Sequence, residues 1–586
     1  MFSSFLPAEE TVRETLEALI GVYPDVFAVV TCLIRYGLCI LSLFIVISCA
    51  VSLLKGKVEG ELWAYLAVGT EKRPVGHWEN TIGRAKQSDI VLTLPTVSRN
   101  HAVLSRDNAG TWRVTDLNSK SGTFVNGQKI DAPTPISYGD LITVGGQELV
   151  LLPSDAREKQ EIKIRRSLQS FWVSPVLIMV WISEFLIFAC AQLMISMHES
   201  FTWSLPAIFL LMIVCMWLWY FLFRVLQRQG FEIDLLGFYL SGLGLMVTAS
   251  AHPSMLVKQA GAMAIGLGVF LILGVILRSF DLVKKLRWPA ALAALGMLAI
   301  TFVLGEVRYG AKNWISIGGL TVQLSEFAKV LFIFAGAASL DRLYTRRNLA
   351  GFVLLAGACV IMLALQSDFG TALIFFVTFI IIAFLRSGDI ASVVLVCSGA
   401  AFGTFLVLRA KPYIANRFAA WRHVWEYAQS TGYQQTRTMS AAASGGLFGL
   451  GAGEGWLKNI GAASTDLVFG ILCEELGLII ALCAVASIAI LAVFAVKSSS
   501  IGRSSYYVIA ACASASMMVF QMILNVFGSV DLLPLTGVTF PFVSTGGTSM
   551  IACWALLAFI KANDTRQNAS FVVKLDRTRE DRHEQG

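Results

Sequence analysis

A long polar loop ends in Ser464-Thr465-Asp466 and runs straight into the apolar Leu467-Val468-Phe469. A carboxylate where a membrane helix begins is costly unless it has a task. Acids at helix N-termini also serve as caps and dipole partners, so Asp466 is open to both readings on local grounds. Glu474 and Glu475 follow on the same predicted helix. Glu326 and Lys329 stand at i, i+3 on another apolar segment, as an ion pair along one helix face or as charges facing a cavity. Asp368, between Gln366 and Thr371, reads as a polar gate or a cap. Cations for an anionic substrate group are Arg308, Lys312, Lys411, Arg417, Arg422 and Arg437, each also readable as a snorkelling interfacial residue. Far upstream, Arg84, Ser98 and Arg99 offer a planar donor fork, a hydroxyl and added charge, a set suited to a phosphate.

The elements that must position these residues are mostly apolar helices. Of the 586 residues 56% are hydrophobic and 15% charged, against about 25% charged in soluble domains. Apolar segments near 27–54, 174–197, 203–225, 234–251, 259–279, 287–304, 326–341, 350–366, 371–386, 391–409, 467–495, 505–529 and 546–562 predict 13 spans. Basic loops recur on one side of this count: Arg224 and Arg228, Lys284 and Lys285, Arg346 and Arg347, Arg386, Lys497 and Arg503, Lys561 and Arg566. That bias explains the net charge of +7 by membrane orientation rather than nucleic-acid binding. It predicts that the 410–466 loop and the N-terminus lie outside and the C-terminus inside.

The 11 cysteines are scattered singly without metal-type spacing and read as small apolar residues. No phosphate-loop lysine motif is present, which argues against ATP-driven transport. The first 23 residues carry four glutamates and lack the basic start of a signal peptide.

Residues 60–153 break the pattern. Short alternating runs such as 64–68 and 111–114, with turn signals at Asn126-Gly127 and Tyr138-Gly139-Asp140, predict a small all-β sandwich. A charged linker, 154–170, follows.

Three ordered motifs in this region are Ile82-Gly83-Arg84, Ser98-Arg99-Asn100-His101, and the run from Leu117 to Gly127. Together they resemble the forkhead-associated (FHA) family. The resemblance implies a β-sandwich whose loops bind phosphothreonine through Arg84, Ser98 and Arg99, with His101 holding the loops. Ser121 stands where the family usually has asparagine, and a hydroxyl has less reach toward the peptide backbone.

Between Phe231 and Ala562 run Arg308-Tyr309-Gly310-Ala311-Lys312-Asn313, Gln323-Leu324-Ser325-Glu326-Phe327-Ala328-Lys329 and Gln366-Ser367-Asp368-Phe369-Gly370-Thr371. Then come Tyr433-Gln434-Gln435, Thr465-Asp466 with Glu474-Glu475-Leu476-Gly477, Gln521, Asn525, Gly537, and Pro541-Phe542-Val543-Ser544-Thr545-Gly546-Gly547. This ordered set resembles the SEDS family (shape, elongation, division and sporulation; the FtsW/RodA/SpoVE group). Departures are Leu324 and Ser367 in place of prolines, Thr545 in place of an aromatic, and Ala463-Ser464 in place of a histidine-containing approach.

The expected fold is a polytopic α-helical bundle with about ten core spans and about three extra, carrying a cytoplasmic all-β FHA sandwich. The expected division is 1–57, one span; 58–155, FHA; 156–230, basic linker and extra hairpin; 231–563, polymerase core; 564–586, cytoplasmic tail. The resemblance implies inverting glycosyl transfer on lipid II outside the cytoplasmic membrane, with Asp466 as general base. It implies substrate contacts from Arg308, Lys312, Glu326, Lys329, Asp368, Gln434, Arg437 and Ser544. The leaving pyrophosphate admits a divalent cation, magnesium or manganese, as cofactor. Implied partners are a class B penicillin-binding transpeptidase and a phosphothreonine protein. Two rival readings stay open here: a lipid II flippase, and a non-catalytic scaffold recruited through the FHA module.

Overall fold

In a computed structural model the described residues run from 9 to 572 apart from short gaps, the longest at 56–60, 341–345, 402–408 and 410–419. Most of the predicted 391–409 span, with Lys411 and Arg417, lies outside them.

The chain opens with α1 (Glu9–Val22) and α2 (Pro24–Lys55). Strands β1 (Ala64–Val68), β2 (Glu71–Val75), β3 (Glu79–Gly83), β4 (Ile90–Val91), β5 (Ala102–Arg106), β6 (Trp112–Asp116), β7 (Thr123–Val125), β8 (Gln128–Lys129), β9 (Thr134–Ile136), β10 (Leu141–Val144) and β11 (Gln147–Pro153) then form two sheets, ordered β2-β1-β11-β10-β7-β8 and β4-β3-β5-β6-β9. Inward residues such as Leu66, Ile82, Leu104, Val114, Ile142 and Leu149 form a core of their own, separate from that of the helices. The module therefore has the means to fold alone. Asn126 and Gly127 both take positive φ (50° and 81°) in the β7–β8 turn, the conformation a two-residue hairpin favours. The expected linker is instead a helix, α3 (Ala156–Gln169), tied to the sandwich by Tyr65 Oη donating to Glu158 at 2.5 Å. Its run of Glu, Lys, Gln and Arg favours helix, and no glycine or proline breaks it.

The bundle comprises α4 (Pro175–Ser196), α5 (Ser204–Val225), α6 (Glu232–Ala251), α7 (Leu256–Leu277), α8 (Phe280–Leu304), α9 (Leu324–Leu340), α10 (Arg346–Leu365), α11 (Phe369–Ser387), α12 (Tyr433–Gly445), α13 (Leu478–Ser499), α14 (Ser505–Ser529) and α15 (Gly547–Ala562). Eight of the described helices, α2 among them, are long and apolar enough to cross a bilayer; α10, α11 and α15 add shorter apolar helices. At 20 residues α6 spans about 30 Å. It is buried from Glu232 to Ser250 and forms the central post. A three-stranded sheet, β12 (Glu306–Arg308), β13 (Ala311–Ile317) and β14 (Leu320–Val322), fills the α8–α9 connection.

One expectation needs correction. The helix predicted from residue 467 onward is not continuous. A short turn at Val468–Ile471 passes into a π-turn at Leu472–Leu476, and α13 starts only after Gly477. Gly477 has φ 89°, and a Cβ there would sit 2.3 Å from Leu447 O, so the break is built into the backbone. The tail expected from 564 begins as a strap that packs on the bundle through Val572. Arg566, Asp564 and Ser570 are buried, and Phe571 packs edge-on to Phe270 at 5.6 Å.

At the strap end of α6 lies a buried ionic cluster. Arg566 donates to Glu232 at 2.9 Å and Asp564 at 2.7 Å, and Lys561 to Asp234 at 2.7 Å. Buried charges of this kind persist only when paired. The β-module docks on the same end. Arg503 bonds Glu61 at 2.9 Å and the Asp564 carbonyl at 3.2 Å, while Trp78 N donates to Arg503 O at 2.5 Å and its ring meets Tyr507.

Candidate active site

Asp466 lies at the opposite end of α6 from this cluster. It closes a single helical turn, Ala463–Asp466, entered through Ala462 at φ 61°. The N-cap position of the next turn is Leu467, one residue beyond Asp466. The half-buried carboxylate faces Gly537, where a Cβ would stand 3.2 Å from Oδ2. With φ 68° as well, Gly537 is where the 530–546 connection can pass close beside the acid.

Backbone bonds hold this turn in place. Asn525 Nδ2 donates to Asp466 O at 3.0 Å and to Val538 O at 2.8 Å. Ser544 Oγ donates to Thr465 O at 2.6 Å and accepts from Phe540 N at 2.8 Å. Thr545 N reaches Ser464 O at 2.9 Å, and the Thr545 hydroxyl lies 3.0 Å from that of Thr248 on α6. Ser544 therefore ties its own 540–544 turn to the turn that bears the acid. Gln259 on α7 receives Gly546 N at 3.1 Å, and sequence reasoning missed it along with Thr248.

Other predicted site residues gather around this loop to different degrees. Asp368 accepts from Asn313 Nδ2 at 3.1 Å and from Thr371 N at 3.2 Å, so it both caps α11 and ties the three-stranded sheet to it. Two residues on, Gly370 packs against Thr536 and Val538, which flank Gly537, bringing the Asp368 turn to the wall beside Asp466. Glu326 and Lys329 form a 2.8 Å ion pair, both buried, at the start of α9. Gln434 Nε2 donates to Gly461 O at 3.0 Å, bracing the approach to Asp466 from α12.

The cations are less convergent. Lys312 Nζ reaches Val303 O at 3.3 Å, and Arg437 stacks over Tyr433, one turn back on its own helix, at 5.2 Å. Arg308 ends β12 opposite Ala311, and its side chain lies outside the described residues. Among the described residues no group of three or more His, Cys, Asp or Glu could hold a metal ion.

Glu474 and Glu475, on the π-turn after Asp466, are buried acids with hydrogen-bond donors from the preceding loop and from α6. Glu474 accepts from Trp456 N and Leu457 N, both at 3.0 Å. Glu475 accepts from Gly453 N at 3.0 Å and from Ser250 Oγ, on α6, at 2.6 Å.

In the β-module, Arg84, Ser98, Arg99 and Ser121 converge on the loops away from the docked end. Ser98 Oγ accepts from Lys120 N at 3.1 Å, which leaves its proton for an anion. His101 is buried. Its Nδ1 accepts from Ser98 N at 3.1 Å, so the proton sits on Nε2, 3.1 Å from Gly122 O, and the ring fastens two loops together. Arg84 and Arg99 are exposed, and Arg84 N bonds Ser98 O at 3.0 Å. Ser121 Oγ is already donated to Thr96 O at 3.0 Å. The Asp116 carboxyl lies below its ordinary value of 3.8: burial raises it, but hydrogen bonds from Thr123 and Ser119 outweigh that.

A polytopic helical bundle with a half-buried acid at one end and a β-sandwich docked at the other defines the class: a membrane-embedded protein with an appended β-module. Residues 233–568 match the cell cycle protein family model of FtsW, RodA and SpoVE, and residues 80–145 match the FHA domain model. The chain belongs to the FtsW/RodA/SpoVE family and carries an FHA domain. It is 30% identical to a probable peptidoglycan glycosyltransferase FtsW of Tolumonas auensis, over 61% of this chain and 98% of that protein. It is 28% identical to the peptidoglycan glycosyltransferase RodA of Mycobacterium leprae, over 55% and 74%. A solved chain of a peptidoglycan synthase complex is 26% identical with TM-score 0.48, covering 57% of this chain and 98% of that one.

Proposed function

We propose that this protein is a peptidoglycan glycosyltransferase that polymerises lipid II on the outer side of a bacterial cytoplasmic membrane. The observation that carries the reading is Asp466, half-buried at the mouth, with its turn fixed by Asn525, Ser544 and Thr545. Its proposed role is general base. The carboxylate takes the proton of the acceptor 4-hydroxyl as that oxygen bonds the donor's anomeric carbon. The C1–O bond to undecaprenyl pyrophosphate breaks with inversion. A positioned base contributes typically 10²–10⁴-fold, and a fixed backbone keeps it at attack distance. Lys312 and Arg437 supply positive charge near the mouth, and the buried Glu326–Lys329 pair lines the bundle below it.

The basic-loop bias places the Asp466 end outside and the FHA module in the cytoplasm. The proposed division keeps an N-terminal span, the FHA module and an extra hairpin ahead of the polymerase core. The module reads a phosphothreonine through Arg84, Ser98 and Arg99, linking wall synthesis to a phosphorylated cytoplasmic protein. A class B penicillin-binding transpeptidase is the proposed partner across the membrane.

The test is lipid II with purified protein in detergent, where flipping has no meaning. Glycan chains from wild type and none from Asp466→Asn are expected. No chains from wild type under any divalent-ion condition would return the choice to flippase or scaffold.

A further inference from the structure

The helices that precede the family region have no role in the reading above, yet α2 and α4 reach toward the catalytic end. Arg35 stands within the apolar α2, where a cation is costly without a partner. Its Nη1 donates to Gly449 O at 3.0 Å and Leu450 O at 3.1 Å. Next to it, Tyr36 packs edge-on to Phe448 with centroids 4.7 Å apart. One turn further, Cys39 Sγ lies 4.0 Å from Leu476 O. From α4, Gln192 and Met197 close on the same loop: a Cβ at Gly451 would sit 2.8 Å from Gln192 Nε2, and one at Gly453 2.9 Å from Met197 Cγ.

The gripped loop is paired to the π-turn that follows Asp466. Leu450 N bonds Glu474 O at 2.8 Å and Gly451 N bonds Glu475 O at 2.9 Å. Gly453 N holds the Glu475 carboxylate, whose other oxygen takes the Ser250 hydroxyl. Two residues before Ser250, Thr248 meets Thr545, and Thr545 N holds Ser464 beside the acid. The contacts thus run from Arg35 through the loop and Glu475 to the Asp466 turn.

We infer that Arg35 is a positioning residue for the glycosyl transfer, the centre of a clamp by which α2 and α4 fix the 448–453 loop and, through Glu475, the Asp466 turn. The guanidinium is suited to this task because one rigid planar head can serve two adjacent carbonyls. Without it the two carbonyls lose their donor, and the loop gains freedom that the Asp466 turn inherits.

This inference rests on the proposed polymerase reading, and the experiment separates the two. Full-length wild type, Arg35→Ala, Arg35→Lys and Arg35→Gln are compared for lipid II polymerisation in detergent and for amide exchange over 447–458. Arg35→Ala is expected to lower kcat roughly tenfold with KM within about twofold, since small misplacements act on the reaction step. Exchange at Leu450, Gly451 and Gly453 should rise, and Arg35→Lys should recover part of both. Where Arg35→Ala does not accumulate, Arg35→Gln decides on the same two readouts. A variant with wild-type kcat and unchanged exchange overturns the clamp. Raised exchange with unchanged kcat also overturns it, leaving α2 as packing only. A wild type that makes no chains sinks the polymerase reading, while the exchange comparison still judges the contact.

Discussion

The Asn525 amide donates to the carbonyl oxygen of Asp466 itself, at 3.0 Å, and with its second hydrogen to Val538 O at 2.8 Å. One buried side chain on α14 thereby ties the turn bearing the acid to the segment carrying Gly537 across from it. Asn525→Ala would remove both bonds and leave two carbonyls without that donor, at about 1–3 kcal/mol for each buried group. The expected result is a folded protein with lowered thermal stability and a kcat reduced more than KM is raised, measured by polymerisation and thermal unfolding in one detergent. Unchanged kcat would show that the turn is held elsewhere.

Asp466→Asn keeps size and hydrogen bonding but removes basicity. Membrane insertion and melting temperature should match wild type, while glycan synthesis falls by at least about 10²-fold. Near-normal polymerisation would remove Asp466 from the role of base.

Orientation is read with cysteine labelling. Gly455 is a poor reporter site because a Cβ there would meet the Glu474 carboxylate at 2.7 Å. The exposed Asn459 and Lys120 serve better. An impermeant thiol reagent on intact cells should label Asn459→Cys and leave Lys120→Cys unmodified, and labelling at 120 would overturn the cytoplasmic FHA placement.

The 61–155 module, with its own core, should bind phosphothreonine peptides and lose them with Arg84→Ala, since charge-assisted bonds to phosphate carry the affinity. Ser121→Asn should tighten binding by extending the reach of a side chain now turned to Thr96 O. Equal titration of phosphorylated and unphosphorylated peptides would reduce the module to a scaffold.

The same fragment has a predictable pH dependence. Asp116 and Asp140 both have carboxyls held below their ordinary 3.8, Asp140 by Ser137 N–H and then Asn126. A depressed native value means the stabilisation is fully present above about pH 4 and fades as pH falls through the lower native value. The urea midpoint should be level from pH 7 to 5 and drop below 4, and Asp116→Asn should make that drop shallower. An identical drop in the variant would exclude Asp116 as a source.

The sequence by itself determined the membrane bundle and the β-module, and it singled out Asp466 as the candidate acid. Those depend on local matters: runs of apolar residues, strand alternation, turn residues and short motifs. The strands at 64–68 and 112–116 and the turn at Asn126-Gly127 follow from propensity and period alone. What the tertiary structure decided is where distant carbonyls and charges meet. The π-turn ending at Gly477 exists because Glu474 and Glu475 find loop amides, and no periodicity encodes that. The strap through Val572 is set by Arg566 meeting Glu232, 334 residues away. An arginine in the apolar run of α2 was a visible signal, since a cation there needs a partner. Its partners, Gly449 and Leu450, are backbone carbonyls more than 400 residues on, and only the packed helices reveal them.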